Sequence, residues 1–403
     1  MAAIQRPLSN TFKRFFGSEK AGGILLILCT ILSLGIANSP LGEDYLHFWH
    51  QNVAGLSIEH WVNDALMAIF FLLIGLELER ELYSGELSDF KNALLPIFAA
   101  IGGIAVPALI HFSLNAGMPS QAGMGIPMAT DIAFALGVLA LLGSRVPASL
   151  KVFLTALAVM DDLGAIIVIA IFYTTELAMA YLLGALVVFG ILLAMNRVFR
   201  IMALLPYLIG GVVMWFLMLK SGVHATIAGV LLAFAIPYSS KDEDMGSPSY
   251  WLENLLHKPV AFIVLPIFAL ANTGIVIGAN WAQELASSNS IGIINGLVIG
   301  KPLGITLLAF IAVWIGICRL PLDLNWKHVF GAGLLGGIGF TMSIFITNLA
   351  FIGDAAAINA SKMAILLASL AAGALGFVWL SLLGRREIAD TDSDTMDFEA
   401  TEA

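Results

Sequence analysis

The sequence places six ionisable side chains inside long apolar stretches, where a charge is costly. They are five acids and one base: Asp64, Glu77, Asp131, Asp161, Asp162 and Lys301. Each such residue at the centre of a membrane helix costs about 2.5–3.5 kcal/mol on insertion scales. One base cannot neutralise five acids as structural ion pairs. We therefore expect at least some of these acids to bind protons or a cation.

The adjacent acids Asp161 and Asp162 are the strongest chemical signal in the chain. Neighbouring helix positions point about 100° apart, so the two carboxylates cannot share one partner symmetrically. One can face a cation while the other pairs with a base such as Lys301. The alternatives are a pair at a solvated helix end and a metal-binding DDxxD motif. Because the flanking residues are apolar and position 165 is alanine, a role in transport is favoured.

Thr130 and Asp131 lie at the end of a stretch rich in glycine, 123–131, and a second such stretch covers 331–341. Glycine and proline at this density disfavour a continuous helix. If two half-helix N-termini meet there, an acid such as Asp131 would compensate their partial positive charge, whereas two C-termini would need a base such as Lys301. A simple N-cap by either residue of the Thr130–Asp131 pair is the alternative.

The composition limits the elements that can hold these residues. Only 12% of the 403 residues are charged, 59% are apolar, and the mean hydropathy is +0.93. That is too little polar material for the surface of a soluble domain. Secreted disulfide scaffolds, disordered chains and nucleic-acid binders are excluded on the same grounds. The sequence therefore predicts an all-α polytopic membrane protein.

About 20 mostly apolar residues are needed for each crossing, and the chain offers twelve candidate transmembrane helices. Their approximate bounds are 20–38, 61–80, 93–114, 122–143, 149–173, 177–196, 203–220, 222–238, 258–278, 290–315, 327–350 and 357–384. The fourth and eleventh are the stretches that glycine interrupts. Each is the middle member of a triple, helices 3–5 and helices 10–12. This pattern predicts an inverted repeat with a binding site near the midplane, the alternative being closely packed but continuous helices.

The basic residues predict the orientation. Sixteen of the 19 lie in segments that fall on one side if the chain starts there, which places both termini in the cytoplasm. We expect a cytoplasmic N-terminal segment at 1–19, a single transmembrane transporter domain at 20–384 and a tail at 385–403. Seven of the 28 acids lie in that tail, which predicts disorder there.

A second group of charges lies on the second predicted helix, with several at its inner end, and at the inner entry to the ninth. Asp64 and Glu77 are on the second helix, and the others are Arg80, Glu81, Glu253 and His257. Clustered acids can attract cations, and histidine titrates near neutral pH. We therefore interpret these residues as a cytoplasmic funnel or pH sensor, with ordinary charged helix ends as the alternative.

Taken together, the motifs resemble the NhaA-type sodium/proton antiporters of bacterial inner membranes. The resemblance covers roughly residues 12–384. The matching stretches are 61–67, 70–77, 129–137, 143–147, 161–165, 220–226, 300–304 and 337–345. Members of this family exchange external protons for internal Na⁺ or Li⁺, are activated at alkaline pH, and form homodimers through an outer β-hairpin.

The resemblance implies roles for the matched positions. Asp162 would be the principal cation ligand, with Asp161 beside it and paired with Lys301. Thr130 and Asp131 would lie at the crossing of the interrupted helices. The implied pH-sensing cluster is Glu77, Arg80, Glu81, Glu253 and His257. Two neighbouring positions depart from the family pattern, because Glu79 stands in place of a lysine and Asn254 in place of a histidine.

The sequence thus predicts an inner-membrane antiporter that exports Na⁺ or Li⁺ in exchange for protons by alternating access, serving sodium and pH homeostasis. It predicts pH regulation, and electrogenic exchange if Lys301 or Asp161 also releases a proton. We expect a homodimer in the lipid bilayer, with no enzymatic activity, no cofactor beyond the transported ions and no nucleic-acid partner. The alternative is a cation channel or uniporter without proton coupling. An intramembrane protease or prenyltransferase would need motifs that are absent from the sequence.

Overall fold

The computed structural model describes residues 4–7, 10–85, 88, 90–174, 177–239, 247–387 and 395–398. The α-helices, in chain order, are α1 (Asn10–Ala37), α2 (Gly42–His50), α3 (Ile58–Trp61), α4 (Met67–Tyr83), α5 (Phe90–Asn115), α6 (Ile132–Leu142), α7 (Ala148–Phe172), α8 (Met179–Arg197), α9 (Leu204–Ser221), α10 (Ile227–Ala235), α11 (Pro248–Pro259), α12 (Leu265–Asn272), α13 (Trp281–Leu285), α14 (Ser288–Asn295), α15 (Lys301–Trp314), α16 (Trp326–Gly336), α17 (Phe340–Ala350) and α18 (Ala355–Glu387).

Shorter elements join or interrupt these helices. The 3-10 helices are Pro119–Met128 and Gly143–Arg145, and π-helical turns cover Val62–Leu66, Val260–Val264 and Gly296–Gly300. The strands are β1 (Ile4–Pro7), β2 (Asn52–Val53), β3 (Leu56–Ser57) and β4 (Thr395–Phe398), paired antiparallel as β1 with β4 and β2 with β3. The tail predicted to be disordered thus includes the end of α18 and β4, and its remaining residues lie outside the described ranges.

The prediction of an all-helical polytopic membrane protein is confirmed. Within the described residues, nine helical stretches are long and apolar enough to cross a membrane, and two bent helix pairs raise the number to as many as eleven. The predicted eighth span, 222–238, is shorter than expected because α10 has only nine residues. It ends where Ile236 takes an extended conformation, ψ 140°, as is common for a residue before proline, here Pro237.

The chain divides into two units, each with its own internal packing. Unit 1 comprises Met1–Ile24, Asp89–Ala165 and Ile277–Ala403, and unit 2 comprises Leu25–Ser88 and Ile166–Val276. The helices of both predicted triples belong to unit 1, apart from the end of α7. The acids and bases of the predicted cytoplasmic cluster belong to unit 2.

Both predicted interruptions are present in unit 1. In the fourth span, the 3-10 helix Pro119–Met128 gives way to non-helical backbone at 129–131 before α6 begins. In the eleventh span, α16 and α17 are bent by 48° at residues 337–339. Each triple therefore has a broken middle member, which is the arrangement that the glycine-rich stretches predicted.

Unit 1 is also held together by direct backbone contact between α5 and α15. A Cβ added at Gly102 would lie 2.0 Å from the carbonyl O of Gly304, and one added at Gly304 would lie 2.1 Å from the carbonyl O of Gly102. Only glycine permits this approach, since a methyl group at either position would overlap the opposite backbone. The position of α15 relative to α5 is thus fixed by two glycines.

In unit 2, α4 and α10 make a similar contact. A Cβ on Gly229 would lie 2.2 Å from the carbonyl O of Ala68. The short strands β2 and β3 form a hairpin whose two turn residues, Ala54 and Gly55, have φ angles of 52° and 90°. Positive φ at both turn positions is the geometry that matches the twist of a two-residue hairpin.

Candidate functional site

The two interrupted segments of unit 1 are joined to each other by hydrogen bonds. The backbone N–H of Asp131 donates to the carbonyl O of Ile338 at 2.6 Å, and Ser343 Oγ donates to the carbonyl O of Ile126 at 2.7 Å. A broken helix leaves backbone groups without their usual partners, and such groups are expensive in apolar surroundings. The bonds between the two breaks satisfy some of these groups and fix the breaks side by side.

Asp131 accepts hydrogen bonds from the N-termini of two helices. Its Oδ1 accepts from the backbone N–H of Phe134 at 3.1 Å, which caps α6. Its Oδ2 accepts from Thr341, both from the backbone N–H at 3.0 Å and from Oγ1 at 2.5 Å, at the start of α17. Because helix N-termini carry partial positive charge, a single carboxylate here faces two of them. The N-cap and charge-compensation readings of the sequence therefore describe the same contacts.

The hydroxyl of Thr130 lies among three polar partners. Its Oγ1 is 2.6 Å from Asp161 Oδ2 and 2.8 Å from the carbonyl O of Gly336, and it accepts a hydrogen bond from Lys301 Nζ at 3.0 Å. A hydroxyl has one hydrogen, so Thr130 can donate to the carboxylate or to the carbonyl, but not fully to both. Thr130 therefore connects the side chain of Asp161 to the C-terminal end of α16.

Lys301 and Asp161 form an ion pair in which both side chains are fully buried. Lys301 is the first residue of α15 and lies one turn before Gly304, which contacts α5. On α5, a Cβ at Gly103 would lie 3.6 Å from Asp161 Oδ1. The glycines of α5 therefore allow α15 to pack closely, and Gly103 lies next to the carboxylate of Asp161.

Asp162 is as deeply buried as Asp161 but lacks a comparable partner. Among the described residues, neither oxygen of Asp162 has a hydrogen-bond partner, and Oδ1 of Asp161 has none either. Removing an ion from water costs several kcal/mol unless it is paired. Two adjacent buried carboxyl groups, Asp161 and Asp162, thus share one buried lysine. The arrangement can hold a proton or a small hard cation at Asp162.

A second charged cluster lies at the end of α4 in unit 2. Arg80 Nε donates to Glu253 Oε1 on α11 at 2.8 Å, and Arg80 Nη1 lies 2.8 Å from Glu81 Oε1. Glu77 is buried one turn before Glu81, and His257 lies one turn after Glu253 on α11. Five of the six residues predicted to form the funnel or sensor thus lie on these two adjoining helix ends.

Asp64 lies apart from this cluster, which corrects the grouping made from the sequence. It is 13 residues before Glu77, or roughly 20 Å along the helix at 1.5 Å per residue. Its Oδ2 lies 2.8 Å from His60 Nε2, and its carbonyl O accepts from Trp215 Nε1 at 3.1 Å. Sharing one helix placed Asp64 with Glu77 in the sequence reading, but the length of that helix separates them.

Glu79 is a member of the cluster that the sequence reading named only as a departure from the family pattern. It is buried on α4, and its Oε2 accepts a hydrogen bond from Ser249 Oγ of α11 at 3.0 Å. The sequence offered a signal, because a glutamate flanked by leucine and arginine at the end of an apolar helix is costly. Its partner is 170 residues away and could not be identified from spacing.

Thr341, which lies within the matching stretch 337–345, has a role that the sequence does not predict. Its hydroxyl and its backbone N–H both reach Asp131 from the other interrupted segment. A threonine two residues after the last glycine of a break is a weak signal for a helix start. Only the pairing of the two breaks reveals which side chain it contacts.

The fold and this site define a class of protein. Buried carboxylates at the crossing of two interrupted helices, within paired helix triples, are the architecture of a secondary ion transporter. The family model described as Na⁺/H⁺ antiporter 1 matches residues 13–380. The protein therefore belongs to this Na⁺/H⁺ antiporter family, and the resemblance inferred from the motifs is confirmed.

Named relatives agree with this assignment. The chain is 75% identical over 387 residues to the Na⁺/H⁺ antiporter NhaA of Dechloromonas aromatica, covering 96% of this chain and 100% of that protein. It is 60% identical over 375 residues to NhaA of Cytophaga hutchinsonii, covering 93% and 96%. It is 59% identical over 383 residues to NhaA of Flavobacterium psychrophilum, covering 95% and 99%. The similarity extends over the whole membrane region.

The double capping by Asp131 leads to a prediction about stability. Loss of one N-cap costs about 0.5–2 kcal/mol, so Asp131→Ala, which removes acceptors from two helix starts, should lower the thermal unfolding temperature of the purified protein clearly. Asp131→Asn, which keeps one acceptor oxygen, should have a smaller effect. Asp354→Ala is the matched control, because it removes one exposed cap, the acceptor of Ala357 N–H at 3.0 Å. Equal unfolding temperatures for the Asp131→Ala and Asp354→Ala proteins would contradict the double role.

Proposed function

We propose that this protein is a secondary antiporter that exchanges Na⁺, or Li⁺, for protons. The observation that carries the proposal is the buried carboxyl group of Asp162, which lacks a hydrogen-bond partner among the described residues beside the Asp161–Lys301 pair. Such a group is stable only when it holds a proton or a cation. The names of the relatives, which are sodium/proton antiporters, support the same conclusion.

Competition between a proton and a cation for Asp162 would couple the movement of the one to the movement of the other. Na⁺ and Li⁺ are hard cations that prefer oxygen ligands, and a protonated carboxyl group is a poor ligand for them. The oxygens beside Asp162 that have no partner among the described residues include Oδ1 of Asp161. A cation that binds there displaces the proton, and a proton that returns displaces the cation. Exchange therefore follows from one site that cannot hold both.

The Asp161–Lys301 pair determines the net charge that crosses the membrane in each exchange cycle. When Asp162 binds a monovalent cation and releases one proton, the charge of the site does not change. If the cation also draws Asp161 away from Lys301, the lysine is left as a buried charge without its partner, which favours loss of its proton as well. Two protons would then move against one cation. The exchange would be electrogenic and driven in part by the membrane potential.

Thr130 links occupancy of the site to the interrupted helices. Its single hydrogen goes to Asp161 or to the carbonyl O of Gly336, and these groups lie on α7 and at the end of α16. When the partner of Asp161 changes, the preferred acceptor of Thr130 changes too. Movement of a broken helix in response to the ion is the step that alternating access requires.

The proposed setting is the inner membrane of a bacterium, with both termini in the cytoplasm. The distribution of the bases, 16 of 19 on one side, supports this orientation. The proposal assigns transport and no covalent chemistry, and it needs no cofactor. A cation channel or uniporter has no specific observation in its favour and would move Na⁺ without protons.

Asp162 provides the decisive test. In everted membrane vesicles with an established ΔpH, addition of Na⁺ or Li⁺ should collapse the gradient, and Asp162→Asn should reduce the response to that of vesicles lacking the protein. Asn cannot bind and release a proton at this position. Asp44→Asn, at an exposed acid on α2, is the control and should leave the response unchanged. Retained exchange by the Asp162→Asn protein would reject the site, and Na⁺ flux without proton movement would favour the channel.

We also propose that the cluster on α4 and α11 adjusts activity to pH. Four acids, namely Glu77, Glu79, Glu81 and Glu253, are buried there, and Arg80 bonds to two of them. Carboxyl groups this close oppose each other's ionisation. Their protonation state therefore changes as a group and can alter the contact between α4 and α11.

Glu253→Gln tests this role. With one negative charge fewer, the remaining acids ionise more easily, so the pH of half-maximal exchange should move to lower pH by about half a unit to one unit. The measurement is the Na⁺-dependent exchange rate in vesicles across pH. Glu43→Gln, an exposed acid on α2, should leave the profile in place. A lower maximal rate with the same pH dependence would argue against the cluster as a sensor.

We further propose that two copies form a homodimer through the β2–β3 hairpin. Both residues of β2 are exposed, and an exposed strand edge readily pairs with another strand. Replacing residues 52–57 with a glycine-serine linker of equal length should convert the purified protein from dimer to monomer in light scattering corrected for detergent. Deleting β4 instead, at Thr395–Phe398, should leave the dimer intact. An unchanged mass after hairpin replacement would exclude this interface.

A further inference from the structure

A buried polar network joins four elements of unit 1 at the end of α5, apart from the proposed ion site. We call it the outer network, and its members are His111 and Asn115 on α5, Ser120 on the 3-10 helix Pro119–Met128, Asn289 on α14 and Ser361 on α18. His111 Nε2 lies 3.0 Å from Asn289 Oδ1, and Asn289 Nδ2 donates to Ser361 Oγ at 2.8 Å.

Asn115 extends the outer network to the 3-10 helix. Its Nδ2 donates to the carbonyl O of Ser288 at 3.1 Å, and its Oδ1 accepts from Ser120 Oγ at 2.8 Å. The interrupted fourth span is therefore tied to α5 and α14 by side-chain hydrogen bonds. An apolar packing would hold these helices without specifying such partners, so the outer network fixes one arrangement of the four elements.

The hydrogen bonds determine the form of the His111 ring in this arrangement. Because the amide N of Asn289 donates to Ser361, its oxygen must accept from His111, so Nε2 carries the hydrogen. Nδ1 is then a lone pair. It is buried and has no hydrogen-bond partner among the described residues. The neutral ring fits the network, whereas a ring protonated at Nδ1 would place an N–H and a positive charge where no acceptor lies.

The space that the His111 ring occupies depends on a glycine of α14. A Cβ added at Gly292 of α14 would lie 2.7 Å from His111 Cδ2 and 2.9 Å from Asn115 Nδ2. The backbone of α14 therefore packs directly on the ring. Because Nδ1 is buried, water reaches it only when the packing around the ring, which includes the contact with α14, loosens.

The charged groups near the outer network are few and do not stabilise a protonated ring. Neither α14 nor the 3-10 helix carries an acid or a base. On α18, Lys362 follows Ser361 and is a cation. On α13, Glu284 contributes its backbone carbonyl, which accepts from Ser290 Oγ at 2.7 Å. Among the described residues, α5, α14 and the 3-10 helix, which form the network around the ring, contain no acid that could stabilise a protonated His111.

We propose that His111 is a further proton-binding residue of this transporter, and that binding of a proton at its Nδ1 opens the outer network between α5 and α14. The proposal rests on the proposed function and on its orientation in the membrane. With both termini in the cytoplasm, α5 runs from the cytoplasmic side outward, so His111 lies near the outer side. His111 lies eight residues beyond Gly103, which is beside Asp161, or about 12 Å along α5 at 1.5 Å per residue. Its proton would come from, and return to, the outer solution.

The consequence follows from linkage between proton binding and opening. The closed network holds neutral His111, and the open network admits the protonated ring to water. Acid outside therefore favours the open form. The equilibrium constant for opening increases about tenfold for each unit by which the pH falls, as long as the open form binds one proton more than the closed form. Histidine is the side chain suited to this, because it titrates near neutral pH.

Hydrogen exchange of the full-length protein tests the opening directly. In the unmodified protein, the protection of amides at the end of α5 and in α14, corrected for the intrinsic effect of pH, should fall as the pH is lowered, by up to about tenfold per unit. Protection of α8 should stay constant. In the His111→Gln protein, whose side-chain amide can still donate to Asn289 but does not titrate, the protection should be high and independent of pH.

Two further variants make the outcome unambiguous. His47→Gln, at an exposed histidine on α2, should behave as the unmodified protein. Asn289→Asp, which offers the protonated ring an acid, should weaken the response to pH. The inference is overturned if His111→Gln keeps the unmodified response, or if it lowers protection equally at every pH, since the ring would then be only structural.

A transport measurement connects the opening to exchange. In proteoliposomes with a fixed internal pH, His111→Gln should flatten the dependence of Na⁺ movement on external pH while leaving the half-saturating internal Na⁺ concentration unchanged. A flattened profile supports the role of His111, and an unchanged profile opposes it. If the unmodified protein moves no protons in response to Na⁺, the proposed exchange fails, whereas hydrogen exchange still decides the inference about His111.

Discussion

The structure depends on one constraint, which is that a carboxyl group buried away from water must be neutralised. Asp161 meets this requirement with Lys301, and Asp131 meets it with the N-termini of α6 and α17. Asp162 has no such partner among the described residues. The cost of leaving its charge bare is several kcal/mol, which exceeds the strength of most single contacts. This cost is why we propose Asp162 as the group that holds the exchanged proton or cation.

The interruptions in the two helices also help to neutralise buried carboxyl groups. Continuous helices would bury their own backbone groups and present only side chains to a cation. By stopping at 128 and 336, the two spans bring two N-termini to Asp131 and one carbonyl to Thr130. These breaks are tolerated because they satisfy each other, as the bond from Asp131 N–H to Ile338 shows. The contact between Gly102 and Gly304 holds α15 against α5, and the next residue of α5, Gly103, lies beside Asp161 of α7, with which Lys301 of α15 pairs.

The sequence was informative wherever a physical rule acts locally. Apolar length predicted the membrane spans, glycine density predicted both breaks, and a pair of adjacent acids marked the position of Asp161 and Asp162. It was less informative where partners come from distant positions. The bond between Glu79 and Ser249 spans 170 residues and that between His111 and Asn289 spans 178, and no periodicity relates such pairs. Asp64 was grouped with Glu77 because they share a helix, but position along the helix, rather than membership of it, decides which charges meet.

The hydroxyl of Thr130 provides a route by which a change of ion at Asp162 could affect the interrupted eleventh span. A carboxylate and a carbonyl compete for its one hydrogen, and the carboxylate is the stronger acceptor when it is charged. Under the proposed exchange, a cation that binds the oxygens of Asp161 weakens that carboxylate as an acceptor, so the hydrogen of Thr130 shifts toward the carbonyl O of Gly336. The existing contact between Thr130 and the end of α16 is then strengthened, at the point where the eleventh span is broken. In the proposed mechanism, a change of ion at Asp162 thus alters the hydrogen bonding at the end of α16, where the eleventh span is already bent.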